Sequence, residues 1–193
     1  MNDLIITIGR QNGSGGREVG KKISEILGIK YYDQEIIAVT ANESGLPVDE
    51  VVKEEERSKD SPLYFWGVSA PNPVFVAQSK AICDMAENGP AVFVGRCADY
   101  ILRDRKNVVN VFVHAPLEDR MERSAKRNGI PIKEAAKRVQ DKDRERAMYY
   151  QRYTGQMWGV VTGYHLSVNT GPIGIENAAD LVIEYVRMMG YLD

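Results

Sequence analysis

The 193-residue chain predicts an α/β fold, a parallel sheet with helices on both faces. Three observations carry this. Short segments rich in β-branched residues alternate with segments of helical apolar period, the pattern of βαβ units. Those short segments are apolar without alternation, as in strands buried on both faces. The first of them, Leu4-Ile5-Ile6-Thr7-Ile8, runs directly into a glycine-rich turn and then an amphipathic stretch.

The elements follow in order. Residues 4–8 form the first strand. Residues 17–27 carry Val19, Ile23, Ile26 and Leu27 at helical spacing, and Gly28 is the C-terminal stop. A second strand is expected at 29–32, ending at Asp33. A helix follows to about Ser44, where Gly45-Leu46-Pro47 breaks it, and residues 48–57 form a short helix with an acidic face. Residues 58–73 mix Ser, Asp, Pro and Asn with Leu63, Tyr64, Phe65 and Trp66, which reads as a loop with aromatic anchors. A helix at 74–87 leads to a strand at 91–94, with Gly95-Arg96 at its carboxyl end. The next strand is 108–113. Pro116 opens a helix with Glu118 and Asp119 in its first turn, the end that favours negative charge. Gly129 stops it, and Pro131 begins a long charged helix to about Tyr153. A final strand at 164–168, a turn at 169–172 and a closing helix at 175–189 complete the chain.

Composition narrows the function. Apolar residues make up 44% and charged residues 27%, as in a soluble globular protein. A chain of this length buries roughly 70% of its unfolded surface, enough for an ordinary core. A net charge of -2 gives no global case for nucleic-acid or membrane binding. Cys83 and Cys97 are too few for a disulfide framework and suit a reducing compartment. No apolar run approaches the ~20 residues of a membrane span, and the N-terminus lacks signal-peptide regions, so a cytoplasmic protein is expected.

In such sheets ligands bind beyond the carboxyl ends of the strands, which directs attention to the loops after Gly9, Asp33, Gly95 and His114. The first loop is the most informative. Gly9, Gly13, Gly15 and Gly16 free the backbone to point successive amides at one anion, and the following helix adds its dipole and unpaired amides. Strand, glycine loop and helix in that order are the phosphate cradle of P-loop NTPases. Ser14 offers a hydroxyl. The usual Gly-Lys-Ser/Thr ending is replaced by Gly16-Arg17-Glu18. Matching Gly13 and Gly15 to the usual glycines puts Gly16 at the lysine position; a one-residue insertion puts Arg17 there. Arginine grips phosphate bidentately and stays charged. Glu18 can serve as a metal ligand, or simply stabilise the first turn of its helix.

Residues 6–18, followed by Tyr32-Asp33-Gln34-Glu35-Ile36-Ile37, resemble the cytidylate kinase-like proteins, a branch of the P-loop nucleoside monophosphate kinases. Val94-Gly95-Arg96 resembles their acceptor-binding Gly-Arg stretch. Asp141-Lys142-Asp143-Arg144-Glu145-Arg146, with Tyr149-Tyr150 and Tyr153-Thr154-Gly155, resembles their arginine-rich lid. The likeness covers nearly the whole chain. It implies a three-layer fold of P-loop NTPase type, with a five-stranded parallel sheet and a helical lid. A length of 193 residues is that of one domain, or of one domain with a small mobile insertion; on the resemblance the single domain spans 1–193, with an acceptor-side insertion near 34–73 and lid helices near 131–158. ATP with Mg2+ is the implied donor, and a nucleoside monophosphate such as CMP, or a related small molecule, the acceptor.

Residue by residue, the resemblance places the donor cradle on Gly13, Ser14, Gly15 and Gly16, with Arg17 and Glu18 following. Asp33 and Arg96 fall at the acceptor side. Arg144, Arg146 and Arg152 match lid arginines around the transferring phosphoryl, and Asp143 a lid aspartate; Arg17, Arg144 and Arg146 are the expected catalytic cations. The sequence departs from true cytidylate kinases in lacking the loop lysine and hydroxyl, in carrying Cys97 where they have aspartate, and in lacking a serine after Asp33. Three readings stay open: kinase of a nucleoside monophosphate, kinase of a non-nucleotide acceptor, or a nucleotide-binding regulatory module without turnover. Asp33 has a rival role as N-cap of the next helix. His114 and His165 lack metal-ligand spacing. Tyr149, Tyr150 and Tyr153 suit packing better than base stacking, and Trp66 and Trp158 are candidates to line an acceptor pocket. Homo-oligomerisation is left open.

Overall fold

The computed structural model describes residues 3–56 and 72–192, and the side chains within these except those of residues 54–56. The aromatic-anchored loop expected at 58–73, with Trp66, lies outside this range apart from Asn72 and Pro73, which open a helix.

Five parallel strands form one sheet in the order β2-β3-β1-β4-β5. They are β1 (Ile5–Arg10), β2 (Lys30–Tyr32), β3 (Ala91–Val94), β4 (Val108–His114) and β5 (Leu166–Asn169). The intervening helices are α1 (Gly16–Leu27), α2 (Glu35–Ser44), α3 (Val48–Glu56), α4 (Pro73–Glu87), α5 (Ala98–Ile101), α6 (Leu117–Asn128), α7 (Ile132–Thr154) and α8 (Thr170–Met188). The topology is that of a P-loop NTPase-type fold.

The strands lack polar alternation because each face meets its own core. Ile6 and Ile8 of β1, with Val92 and Val94 of β3, pack with Val19 and Ile23 of α1 and Val182 of α8. Ile5 and Phe93 point the other way and pack with Ile36 of α2, Ile82 of α4 and Leu102. Each such side chain contributes about 1.5–3 kcal/mol when fully buried.

Two of the element boundaries depart from expectation. The turn at 169–172 is already the start of α8: the Asn169 side chain accepts the Gly171 amide at 3.0 Å, and Pro172 is tolerated in a first helical turn. The break comes at Gly174, with φ 76° and ψ 177°. The last strand begins at Leu166, because Tyr164 turns its ring against Phe112 at 4.9 Å instead of pairing. His165 does pair: its amide donates to Asn110 O, and its Nδ1 accepts the Asn110 amide, both at 2.8 Å.

Register is what builds the site. Ile8 of β1 lies beside Val94 of β3, and Tyr32 of β2 beside Phe93. Because all three strands run parallel, the residues that follow them emerge at one edge: Arg10 with the glycine loop, Asp33, and Gly95-Arg96.

Candidate active site

The loop between β1 and α1 turns its carbonyls into the protein. Gln11 O accepts the Ser14 amide and hydroxyl, at 3.3 and 2.9 Å. Asn12 O accepts Arg120 Nη1 at 3.4 Å, and Gly13 O accepts Arg123 Nη1 at 3.2 Å. Ser14 O accepts the Thr170 hydroxyl at 2.6 Å, and Gly15 O the Val19 amide at 2.9 Å. With the carbonyls held, the amides of Gly13, Gly15, Gly16 and Arg17 are left without hydrogen-bond partners among the described residues. Gly13 must be glycine: its φ is 77°, and a Cβ there would lie 2.4 Å from Arg120 O. Gly15, at φ 85°, caps α1. The Ser14 hydroxyl, expected to face a ligand, is instead fully buried, because Gln11 O claims it.

Beside the loop, the Asp33 carboxylate gathers arginines from three segments. Arg17 Nε lies 2.7 Å from it, Arg10 Nη2 3.5 Å and Arg96 Nη1 3.8 Å. Asp33 does not cap α2, since its carboxylate faces these guanidiniums; the N-cap is Gln34, without a side-chain bond. Arg96 and Cys97 both hold left-handed backbone, φ 59° and 55°, a conformation that non-glycine residues adopt at a cost and that aims the Arg96 side chain back at Asp33.

The α7 helix closes the top. Arg146 Nη1 donates to Arg10 O at 3.0 Å. Burial pulls its pKa down to about 10 against the opposing Asp143, with Arg96, Arg17 and Arg127 adding to the fall, so it remains a cation at neutral pH. Asp143 accepts the Asn12 amide at 2.6 Å and Arg120 Nη1 at 2.5 Å. Between these parts lies a cavity of about 470 Å³, bordered by Gly13, Gly15, Gly16, Arg17 and Glu18 on one side and by Arg96, Arg146, Tyr149 and Trp158 on others.

The structure thus brings Arg17, Asp33, Arg96 and Arg146 together over the glycine loop. It does not bring Arg144, which projects from the opposite face of α7 to solvent and lies 3.5 Å from Asp141. A 100° step per residue puts positions 144 and 146 well apart around the helix. Arg152 also stays outside the cavity lining. The sequence reading missed Arg10, which it treated as loop, and Arg120 and Arg123, whose i, i+3 spacing on α6 is visible in sequence although their target is not.

The donor and metal implied by the resemblance can be tested against these groups. The free amides and surrounding guanidiniums suit a polyphosphate. Among the described residues no three His, Cys, Asp or Glu side chains cluster as a metal site. Asp33 faces cations, Asp99 accepts Tyr150 Oη at 2.8 Å, and Glu145 pairs with Lys142 at 2.8 Å. Glu18 is exposed at the cavity edge with no ion pair among the described residues. A single carboxylate fits Mg2+, which is commonly held by one or two carboxylates together with substrate phosphates.

A family model described as "Cytidylate kinase-like family" matches residues 5–172. The chain belongs to that family. It is therefore a nucleoside monophosphate kinase-like phosphotransferase. A cytidylate kinase of Aeropyrum pernix is 27% identical over 179 residues, 92% of this chain and 96% of that protein. One from Methanopyrus kandleri is 28% identical over 161 residues, 79% and 77% of the two chains. Among solved structures, an uncharacterized protein from Eubacterium ventriosum superposes with a TM-score of 0.74 at 28% identity, covering 95% of this chain and 98% of the other. A shikimate kinase from Acinetobacter baumannii gives a TM-score of 0.57 at 13% identity, covering 96% and 93%, a likeness of fold alone.

Proposed function

We propose that this member of the cytidylate kinase-like family moves the terminal phosphoryl of ATP, or another nucleoside triphosphate, onto a nucleoside monophosphate such as CMP. The observation that carries the reading is the convergence of Arg10, Arg17 and Arg96 on Asp33 beside free loop amides, with Arg146 overhead. A phosphoryl transferase works mainly by positioning and by charge around an anionic transition state. The loop amides of Gly13, Gly15, Gly16 and Arg17 bind the donor phosphates. Arg96 orients the acceptor phosphate, and Asp33 holds Arg17 and Arg96 in their geometry. Arg146 covers the phosphoryl between them. An acceptor phosphate oxygen attacks the γ-phosphorus, the bond to the β,γ-bridging oxygen breaks, and a nucleoside diphosphate leaves with ADP. Glu18 would help hold Mg2+, which screens charge between donor phosphates.

The test is ADP release by purified protein with Mg2+ and ATP, across a panel of nucleoside monophosphates. CMP-dependent ADP formation is the expected result. ATP-dependent thermal stabilisation with no ADP from any acceptor would favour the regulatory module instead. ADP formed only with a non-nucleotide hydroxyl acceptor would keep phosphoryl transfer and change its substrate.

A further inference from the structure

The glycine loop lacks its lysine, yet a buried cation crosses the place where that lysine begins. Gly15 is the last residue with left-handed backbone, and Gly16 is the first residue of α1, so Gly16 stands where lysine follows the final glycine of the motif. A Cβ on Gly16 would fall 2.5 Å from Arg10 Cβ and 2.9 Å from Arg10 Cγ. At its far end the same side chain runs past Gly95, where a Cβ would lie 1.5 Å from Arg10 Nη1. Both glycines leave room for one arginine. Gly16 has no left-handed backbone to explain it, so space is its remaining reason.

We propose that Arg10, at the end of β1, supplies the phosphate-binding cation that the helix start cannot carry. This rests on the phosphoryl-transfer reading and deepens it. The Arg10 side chain is 7% exposed, borders the cavity, and has its Nε without a hydrogen-bond partner among the described residues. Among the described residues its one ion-pair partner is Asp33, which it shares with Arg17 at a shorter distance. Burial pushes the Arg10 pKa down, with Arg146, Arg96 and Arg17 adding to this and Asp33 opposing it. A triphosphate over the loop would supply the missing negative charge. The Arg10 stem crosses beside Gly16 and its guanidinium lies by Gly95 and Asp33 at the cavity border, so a lysine at position 16 would collide with Arg10 Cβ and Cγ.

The exchange can be tested with inorganic tripolyphosphate by calorimetric titration, which needs no turnover. Arg10→Met leaves Asp33 its pair with Arg17, and loss of a charged contact is expected to weaken binding about 10–100-fold. Gly16→Ala has a permitted backbone and keeps every arginine, so its effect is displacement of Arg10; it is expected to weaken binding at least tenfold. Arg10→Gly/Gly16→Lys removes the Arg10 Cβ and Cγ that a side chain at position 16 would meet, puts an ammonium into the vacated space, and is expected to recover binding relative to Arg10→Gly. Wild-type affinity in Gly16→Ala, or a double variant no better than Arg10→Gly, would overturn the proposal. If the Arg10 variants do not fold, wild-type affinity in Gly16→Ala still overturns the proposal. Wild-type protein that binds tripolyphosphate but never forms ADP would sink the kinase reading and leave this one standing.

Discussion

Asp143 on α7 accepts the backbone amide of Asn12 in the glycine loop at 2.6 Å, and its second oxygen takes the Arg120 guanidinium at 2.5 Å. One carboxylate therefore fastens three segments: the closing helix, the phosphate loop, and the helix whose Arg120 holds the loop carbonyl of Asn12. Removing it loosens the loop from the helix above the cavity and leaves the Arg146 bond to Arg10 O between them.

The titration of that carboxylate gives the tie a pH dependence. Burial raises the Asp143 pKa, against the opposing pull of the Asn12 amide and the charges of Arg120 and Arg146. A carboxyl group with a raised folded-state pKa contributes stability that is fully present below its unfolded value, about 3.9, and is lost as pH rises through the folded value. Asp143→Asn cannot titrate. The melting temperature of wild type minus that of the variant should increase as pH falls from neutral toward about 4. Over the same window wild-type nucleotide affinity should fall by more than that of the variant, because the tie to Arg120 loses its charge in the wild type while the nucleotide phosphate, with a second pKa of about 6, titrates alike with both. Parallel melting curves at every pH would remove Asp143 as the titrating group.

Asp33 presents the complementary case. It is 5% exposed and faces Arg10, Arg17 and Arg96. Breaking such a buried pairing from one side typically costs about 3–5 kcal/mol, because the partner charges stay buried. Asp33→Asn should therefore melt well below wild type. The surplus positive charge should also make it the better anion binder, so tripolyphosphate should raise its melting temperature by more than that of wild type. Equal shifts in the two proteins would mean that Asp33 does not balance the cluster.

The scaffold was legible because its signals are local. Glycines at 28, 45 and 129 end helices where their left-handed backbone permits it, and the unbroken apolar runs mark strands buried on two faces. Asp33 and Arg96 could be picked out because each follows a strand, and Arg17 because it opens the helix after the glycine loop; the parallel order β2-β3-β1 places those strand ends side by side. Arg10 was not legible in that way. Its significance lies in two glycines that are 79 positions apart in the chain and touch the same side chain, and no periodicity carries that information. The short α5 was missed because four residues are too few to show a helical period. The start of α8 was missed because Asn-Thr-Gly-Pro carries turn chemistry and an N-cap with equal ease.

Arg144 and Arg146 divide one charged motif into two faces, and activity should divide with them. Arg146 borders the cavity, bonds to Arg10 O at 3.0 Å and is 28% exposed in its side chain; Arg144 is 67% exposed beside Asp141. Loss of a preorganised donor to transition-state charge costs about 10²–10³ in kcat, so Arg146→Ala should show a fall of that order in ADP release. Arg144→Ala removes an exposed ion pair worth about 0–1 kcal/mol, which moves the melting temperature of a chain this size by no more than about 2–4 °C, and kcat should stay within about twofold, well inside the range of surface substitutions. The two variants remove the same charge from the same helix, so a general electrostatic effect would lower both rates alike. A large loss in Arg144→Ala alone would require α7 to turn about its axis when nucleotide binds, exchanging the face that meets the cavity. That rotation would break the Asp143 tie to Asn12, and Asp143→Asn would then make closure easier and raise, not lower, the affinity for ATP.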